Sequence, residues 1–251
     1  CLLSRGLGDV YKRQELGKIN GKEYIVKTIV TTETIKTIAE RNGVEMYDVY
    51  TGFKWIANVM RENEGKKNYI GGGEESYGFL CEDFVRDKDA VSACVILAEI
   101  AAWAKDQGLS LYQLLQKIYV EYGFSKEKGI SVVKKGKSGA EEIEAMMKKF
   151  RENPLTEIAG SKVTYFYDYS TLKGKDYAEN ETVTLDMPTT SNVLQYFTED
   201  NTKVSIRPSG TEPKIKFYCE VHSKVKNIDE LPEAEKAAEE KINQIKASLG
   251  I

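Results

Sequence analysis

Residues 24–32 read YIVKTIVTT, a run rich in β-branched side chains that is bounded by polar residues. Such a run predicts a buried β-strand. Residues 33–41 follow with a helical pattern that stops at Asn42 and Gly43, a pair typical of a helix C-terminus. A strand followed directly by a helix indicates an α/β domain.

The alternation of helix and strand continues beyond this unit. Residues 68–70 predict a short strand that runs into three glycines. Residues 89–105 are apolar on most sides, which predicts a central buried helix. Two further helices are predicted by apolar stripes at Phe53, Ile56, Ala57 and Met60, and at Leu111, Leu114, Leu115 and Ile118.

The pattern changes near Gly129 to a run of strands flanked by two helices. Residues 214–221 alternate strictly, with apolar side chains on one face of a predicted strand and polar ones on the other. This order predicts an α+β domain with helices on one face of a sheet. The other predicted strands are residues 130–133, 162–167, 182–187, 192–197 and 203–206, and the helical stripes are Ile143, Met146, Met147 and Phe150, and Ala234, Ala238, Ile242, Ile245 and Leu249.

The domain boundaries follow from these changes in pattern. Residues 1–14 (CLLSRGLGDVYKRQ) have no clear period and do not begin with Met, so we expect a leader that is foreign to the native gene or disordered. The α/β domain is predicted at residues 15–128 and the α+β domain at residues 129–251. The boundary is expected in the polar stretch 124–130.

Composition excludes several classes of protein. Thirty-six basic and 39 acidic residues give a net charge of −3, which argues against a nucleic-acid binder with a broad basic surface. The single histidine, His222, excludes a site with two His ligands and disfavours a Ser-His-Asp hydrolase. No apolar run is long enough to span a membrane. The four cysteines fit buried side chains in a reducing compartment, so we expect a cytoplasmic protein.

Residues 71–78 (GGGEESYG) are the first motif with recognisable chemistry. Glycines allow a backbone to approach a ligand closely. The carboxylate of Glu74 and the hydroxyl of Ser76 can both reach one polar ligand, such as the hydroxyls of a sugar. A flexible surface turn explains the same residues, and spacing alone does not decide between the two interpretations.

Residues 207–214 (RPSGTEPK) are the second motif, predicted to lie between two strands. Arg207 supplies a planar fork that matches phosphate oxygens, and Ser209 and Thr211 add hydroxyl donors. Gly210 permits a turn that points backbone N–H groups inward, and Lys216 follows on the polar face. This pattern favours a phosphate site over a Pro- and Gly-rich hairpin loop.

The chain resembles the C-terminal half of the α-D-phosphohexomutases, within them the phosphoglucomutase/phosphomannomutase group. The resemblance covers residues 15–251, and four motifs that carry it occur in family order: TGFKWIANVM (51–60), GEESYG (73–78), RDKD around Lys88 and RPSGTEPKIKFY (207–218). It implies the third, mixed α/β layer domain, followed by a smaller α+β domain similar to half of a TATA-binding protein.

The resemblance also implies a role for each matching residue. Glu74 and Ser76 would hold sugar hydroxyls, and Thr51 would add a contact at the edge of that pocket. Lys88 would be the catalytic residue of this chain, near the transferring phosphate, as a charge or a proton donor. The phosphate that does not react would be bound by Arg207, Ser209, Gly210 and Thr211, supported by Lys216.

The implied reaction interconverts glucose 1-phosphate and glucose 6-phosphate through glucose 1,6-bisphosphate. The phosphoserine loop and the Mg²⁺-binding loop of the family have no match in this sequence, so we expect no metal ligand here and a fragment that binds phosphosugar without turning it over. Alternatives that remain are a phosphomannomutase or phosphopentomutase fragment and a non-catalytic phosphosugar-binding protein. A nucleic-acid-binding α+β domain is disfavoured by the charge, no membrane partner is expected, and the oligomeric state stays open.

Overall fold

The computed structural model describes residues 8–134, 136–210 and 212–251. The chain divides into two compact units, one formed by Cys1–Gly123 with Lys224–Ile228, the other by Phe124–Ser223 with Asp229–Ile251. The boundary between Gly123 and Phe124, where the chain first passes from one unit to the other, therefore lies at the beginning of the stretch 124–130 that the sequence predicted. The boundary predicted between residues 128 and 129 lies inside a strand, because residues 124–133 pair continuously with a neighbouring strand.

The first unit is built around a four-stranded sheet with the order β2-β1-β3-β4. β1 is parallel to both β2 and β3, and β4 is antiparallel to β3. Its elements are α1 (Gly8–Glu15), β1 (Glu23–Thr28), α2 (Thr34–Arg41), β2 (Glu45–Val49), α3 (Phe53–Asn63), β3 (Asn68–Gly73), β4 (Phe79–Cys81), α4 (Ala90–Asp106) and α5 (Leu111–Tyr122).

The core of this unit lies on both faces of β1, all six residues of which are buried. One buried cluster includes Ile25, Ile38, Ile70, Ile96 and Ile100. A second includes Tyr24, Val26, Phe53, Ile56 and Met60. A strand covered on both faces is rich in apolar residues on both sides, which is why the sequence predicted it. The predicted strand 24–32 is confirmed as far as Thr28, where β1 ends.

The topology of the sheet indicates at which edge a ligand is expected to bind. From β1 the chain goes to β2 on one side, and from β2 it crosses to β3 on the other side of β1. Ligands of open α/β sheets bind at the carboxyl ends of the strands, where such connections diverge. The segments that follow β1, β2 and β3 lie at this edge.

The first motif suggested that the three glycines of residues 71–73 form a loop. In the structure they are instead part of strand β3. A Cβ at Gly72 would lie 2.4 Å from the Val26 carbonyl oxygen and 2.6 Å from Tyr69 Oη. Glycine is therefore required by close packing within the protein. Strands β2 and β4 were not predicted at all.

Residues 8–14 of the predicted leader are helical in this structure and not disordered. They form most of α1, whose Val10 is buried in the core and whose Lys12 makes an ion pair with Glu99 of α4. A foreign origin of this leader stays a prediction, and residues 1–7 lie outside the described residues.

Helix α4 was predicted correctly in position, but it is not buried on most sides. Ala93, Ile96, Ile100 and Ala104 form its buried stripe. Val91 and Val95, on the opposite face, are 73% and 63% exposed. The apolar composition of α4 thus exceeds what the described part of the chain buries.

The second unit contains an antiparallel sheet with the order β5-β12-β11-β10-β7-β8-β9, and β6 pairs with β7 beside it. Helices α6 and α7 both pack against β12. Its elements are β5 (Phe124–Val133), α6 (Gly136–Glu152), β6 (Glu157–Ile158), β7 (Ser161–Asp168), β8 (Lys173–Asp176), β9 (Glu181–Thr184), β10 (Leu194–Thr198), β11 (Lys203–Pro208), β12 (Lys214–Ser223), a 3₁₀ turn (Ile228–Glu230) and α7 (Leu231–Leu249).

The prediction of an α/β layer domain followed by an α+β domain is confirmed. The apolar positions of β12 are all buried, as the alternation indicated: Ile215, Phe217, Cys219 and Val221. The second unit is only slightly shorter than the first, and its similarity to a TATA-binding protein stays a prediction. Among the helices described, none is both long enough and apolar enough to cross a membrane.

A buried cation connects the strand ends of the first unit. The side chain of Lys27 in β1 is only 1% exposed, and its Nζ lies 2.6 Å from Asp48 Oδ1 and 3.0 Å from Glu33 Oε1. Burial by itself would lower the pKa of Lys27, but the charges and hydrogen bonds of the two carboxylates outweigh it and raise the pKa. The ammonium group is therefore charged throughout the neutral range.

We expect the substitution Lys27→Met to lower the free energy of unfolding of the first unit by about 3 kcal/mol, because two carboxylates lose a buried counterion. Both tryptophans, Trp55 and Trp103, lie in this unit, so urea unfolding followed by tryptophan fluorescence measures the change. Lys36→Met is the control, since Lys36 and Glu40 are exposed and 3.9 Å apart and such pairs contribute about 0.5 kcal/mol or less. Equal losses in the two variants would contradict the role of Lys27.

A second charged cluster lies within the second unit. His222 Nε2 is 2.7 Å from Glu220 Oε1, and Lys203 Nζ is 3.0 Å from Glu220 Oε2. Burial lowers the pKa of His222, but its hydrogen bond to Glu220 and the charge of Glu220 raise it more, so the net pKa lies above 6.5.

Because the pKa of His222 is raised on folding, its contribution to stability is full below pH 6.5 and is lost as the pH rises through the folded-state pKa. We expect the melting temperature to fall between about pH 6 and pH 8 more steeply in the unsubstituted chain than in His222→Gln. Since His222 is the single histidine, an NMR titration gives its pKa directly. A folded-state value at or below that in urea would refute the assignment.

Candidate functional site

The loop between β3 and β4 is closed at its base and open at its tip. The Glu74 N–H donates to the Gly78 carbonyl oxygen at 2.8 Å. Tyr77 has a φ of 68° and is exposed, as is Ser76. A tight loop of this kind presents the Ser76 hydroxyl to solvent at the carboxyl end of β3.

Glu74 connects this loop to the segment after β2. Its Oε1 accepts a hydrogen bond from the Gly52 N–H at 2.6 Å. Gly52 has a φ of 118°, a conformation that side-chain-bearing residues rarely adopt. The structure therefore brings Glu74 beside Thr51, the residue before Gly52, and leaves the second carboxylate oxygen of Glu74 available to other partners.

Gly78 brings Lys88 against the same carboxylate. A Cβ at Gly78 would lie 3.2 Å from Glu74 Oε2 and 3.2 Å from Lys88 Cδ. The Lys88 side chain is about half exposed, and its Nζ lies 3.0 Å from Asp87 Oδ1. The interpretation of Lys88 as an isolated, solvated charge is therefore incomplete, because its stem packs against the loop that carries Glu74.

The charge state at this edge is fixed by local hydrogen bonds. The Lys88 side chain and backbone N–H lower the pKa of Asp87, so Asp87 is a carboxylate at neutral pH. Asp89 accepts hydrogen bonds from the backbone of Val91 and Ser92 at the start of α4, and these lower its pKa as well. Lys88 thus lies between two carboxylates, one of which it pairs with directly.

Two threonines near this edge, Thr28 and Thr31, were missed by the sequence analysis. Thr28 Oγ1, at the end of β1, donates to Glu75 Oε2 at 3.3 Å and lies 2.9 Å from Thr31 Oγ1. This contact joins the loop after β3 to the loop after β1. A signal was present, since Lys27 and Thr28 interrupt the apolar residues of the predicted strand between Val26 and Ile29.

The second motif lies at the β11–β12 hairpin. Arg207 and Lys216 are directly paired across the two strands, and Pro208 pairs with Ile215. The Ser209 N–H donates to the Lys214 carbonyl oxygen at 2.7 Å, so it closes the hairpin and does not point at a ligand. Gly210 has no strained φ and a Cβ there would meet nothing, so its turn does not require glycine. Thr211 lies outside the described residues.

Two of the three cations of this hairpin, Arg207 and Lys216, differ from the third, Lys214, in their ion pairing. Among the residues described, neither Arg207 nor Lys216 has a carboxylate within ion-pair distance, whereas Lys214 is paired with Glu212 at 2.7 Å. Like charges directly opposite each other destabilise a strand pair. A bound anion such as phosphate would remove this repulsion, since the guanidinium fork matches two of its oxygens.

No metal site can be built from the described residues. Within residues 8–134, 136–210 and 212–251, no group of three or more His, Cys, Asp or Glu side chains is arranged to hold an ion. The structure places Thr51, Glu74 and Lys88 together and Arg207 beside Lys216, and their roles toward a ligand stay predictions.

Two family models match most of the chain. The one described as phosphoglucomutase/phosphomannomutase, alpha/beta/alpha domain III, matches residues 8–122. The one for the C-terminal domain of the same family matches residues 131–238.

Curated relatives agree with this match. The chain is 38% identical over 221 residues to a phosphoglucomutase of Staphylococcus aureus, which covers 88% of this chain and 39% of the relative. It is 35% identical over 208 residues to a phosphoglucomutase of Staphylococcus haemolyticus, covering 83% of this chain and 38% of the relative. The chain thus spans about two fifths of the length of these relatives.

Solved structures show the same fold. A phosphoglucomutase of Paramecium, parafusin, is similar with a TM-score of 0.58 at 18% identity, over 96% of this chain and 41% of that one. A phosphoglucomutase/phosphomannomutase family protein of Burkholderia thailandensis has a TM-score of 0.55 at 16% identity, over 98% and 42% of the two chains. Fold, family models and relatives agree, and the chain belongs to the phosphoglucomutase/phosphomannomutase family, of which it carries the third and the C-terminal domain.

Proposed function

We propose that this chain supplies the sugar-recognition and phosphate-binding domains of a phosphoglucomutase, which interconverts glucose 1-phosphate and glucose 6-phosphate through glucose 1,6-bisphosphate. The observation that carries the proposal is that Arg207 and Lys216 face each other across β11 and β12 and that, among the described residues, neither has a carboxylate within ion-pair distance. Two cations held face to face without a carboxylate are suited to a dianionic phosphate.

In this proposal the β3–β4 loop reads the sugar. Glu74 accepts hydrogen bonds from sugar hydroxyls through the oxygen that Gly52 does not use, and Ser76 adds a hydroxyl. Thr51 contacts the sugar at the edge of the pocket. A carboxylate accepts from neighbouring hydroxyls in either orientation of a sugar, which suits a reaction in which the bisphosphate must turn round.

Lys88 acts at the transferring phosphate in this proposal. An ammonium group near a phosphoryl group in transfer stabilises the negative charge on its oxygens or supplies a proton to the leaving oxygen. The contacts of its stem with Gly78 orient Lys88 relative to Glu74. Arg207 and Lys216, with Ser209, Gly210 and Thr211, hold the other phosphate and so keep the sugar in line for transfer.

We further infer that the chain binds phosphosugar but does not convert it, because the phosphoserine and metal loops have no match in its sequence. The curated relatives are phosphoglucomutases, which favours glucose over mannose or a pentose as the sugar. We place the protein in the cytoplasm, since Cys81, Cys94 and Cys219 are free thiols, as is usual in a reducing compartment.

Isothermal titration with glucose 6-phosphate and glucose 1,6-bisphosphate tests the phosphate site. We expect Arg207→Ala to weaken binding about tenfold or more, because a charge-assisted hydrogen bond is lost, and Lys216→Ala to weaken it less. Lys162→Ala is the control, since Lys162 is an exposed cation on β7 of the same sheet. Unchanged affinity in Arg207→Ala, or no binding by a folded chain, would refute the proposal.

The substitution Gly78→Ala tests the contribution of the β3–β4 loop to sugar binding separately from that of the phosphate site. The added Cβ displaces Glu74 or Lys88 by a few tenths of an ångström, so we expect affinity for glucose 6-phosphate to fall about threefold to tenfold while affinity for inorganic phosphate stays unchanged. Gly129→Ala is the matched control, because a Cβ at Gly129 of β5 meets nothing within 4 Å. A parallel loss for both ligands would place Gly78 outside sugar recognition.

A further inference from the structure

Helix α4 has two apolar faces, and only one of them is covered. Its buried stripe packs into the core of the first unit. The opposite stripe consists of Val91, Val95, Ala98 and Ala102, all exposed, and we call it the outer stripe of α4. These residues follow the i, i+4, i+7, i+11 spacing of a helix face that packs against another element.

The charge distribution of α4 differs from that of a solvent-facing helix. Within residues 90–104 the only charged side chain is Glu99, and it is paired with Lys12. In α7 of the same chain the exposed positions are instead occupied by charged residues, among them Glu233, Glu235, Lys236, Glu239 and Glu240. Of these two helices, α7 has the amphipathic pattern of a helix with one side in water, and α4 does not.

The segment before α4 extends the same apolar surface in sequence. Phe84 is 61% exposed and Val85 is 39% exposed, and both lie between β4 and the start of α4. Exposed apolar residues scattered singly are ordinary, but a concentration of large ones in a short stretch marks an interaction site. Helix and preceding segment together therefore indicate a surface that another protein element covers.

The family match indicates what that element is. The relatives are matched over only about two fifths of their length. Since the matched parts are domain III and the C-terminal domain, the remaining part of the relatives precedes domain III. The outer stripe of α4 is exposed among the described residues, and this fits a polypeptide in which a preceding domain packs against it.

We propose that the outer stripe of α4, with Phe84 and Val85, is the docking surface for the domain that precedes domain III in the full-length enzyme. Val91 and Val95 supply the apolar area, and Ala98 and Ala102 allow the partner element to approach closely. The proposal rests on family membership and on the exposed face, and it is independent of the sugar and phosphate sites.

Cys94 is a natural reporter of this contact. It is exposed and flanks the outer stripe, whereas Cys81 and Cys219 are buried. Burial raises the pKa of Cys219 to about 12, which further suppresses its reaction with alkylating reagents. Iodoacetamide pulses followed by mass spectrometry of the peptide that contains Cys94 therefore measure the accessibility of this face.

The experiment compares this chain alone with a chimera in which it replaces the matching part of the Staphylococcus aureus phosphoglucomutase, to which it is 38% identical. We expect Cys94 to be alkylated about tenfold or more slowly in the chimera. In the chimera, Val95→Glu should restore fast alkylation, while Val133→Glu should not, although Val133 of β5 is equally exposed at 62%.

Two results would overturn the proposal. One is alkylation of Cys94 in the chimera at the rate of the chain alone. The other is protection of Cys94 in the chain alone that increases with its concentration, because this would assign the outer stripe to a second copy. Loss of glucose 6-phosphate binding would bear on the proposed function and would leave the docking surface unaffected.

Discussion

The first unit depends on the neutralisation of one buried cation. Lys27 reaches the carboxyl ends of two adjacent strands, where it is held by Asp48 of β2 and by Glu33 at the start of α2. An unpaired charge in this position would cost several kcal/mol, so the two carboxylates fix the loops that carry them. The next residue, Thr28, contacts Glu75 of the β3–β4 loop. The edge that holds Glu74 is therefore anchored through the core.

The second unit contains cations of two kinds, one paired with a carboxylate and the other not paired among the described residues. Lys203 is buried and fully matched by Glu220, just as Lys27 is matched in the first unit. Arg207 and Lys216 lie opposite each other with no such match among the described residues. A structural ion pair satisfies itself, whereas a binding site keeps its charge for the ligand. The contrast with Lys203 supports the proposal that the hairpin binds an anion.

The periodicity of apolar residues predicted those strands whose burial follows one regular pattern from end to end. Strand β1 is buried throughout and β12 alternates strictly, so both were found from the sequence. Strand β2 has a mixed burial pattern and β4 has only three residues, and neither carries a detectable period. The glycines of β3 were misassigned, because the close approach of Gly72 to Val26 depends on strand pairing that no local pattern contains.

The site was predictable where a motif is local and unpredictable where it depends on tertiary contacts. Thr51, Glu74 and Lys88 were found from short motifs, but the hydrogen bond of Glu74 to Gly52 and the packing of Gly78 against Lys88 join separate segments. Helix α4 shows the converse. Its sequence predicted burial on most sides, and the described chain buries one stripe. The exposed apolar residues of α4 are the observation on which the proposed docking surface rests.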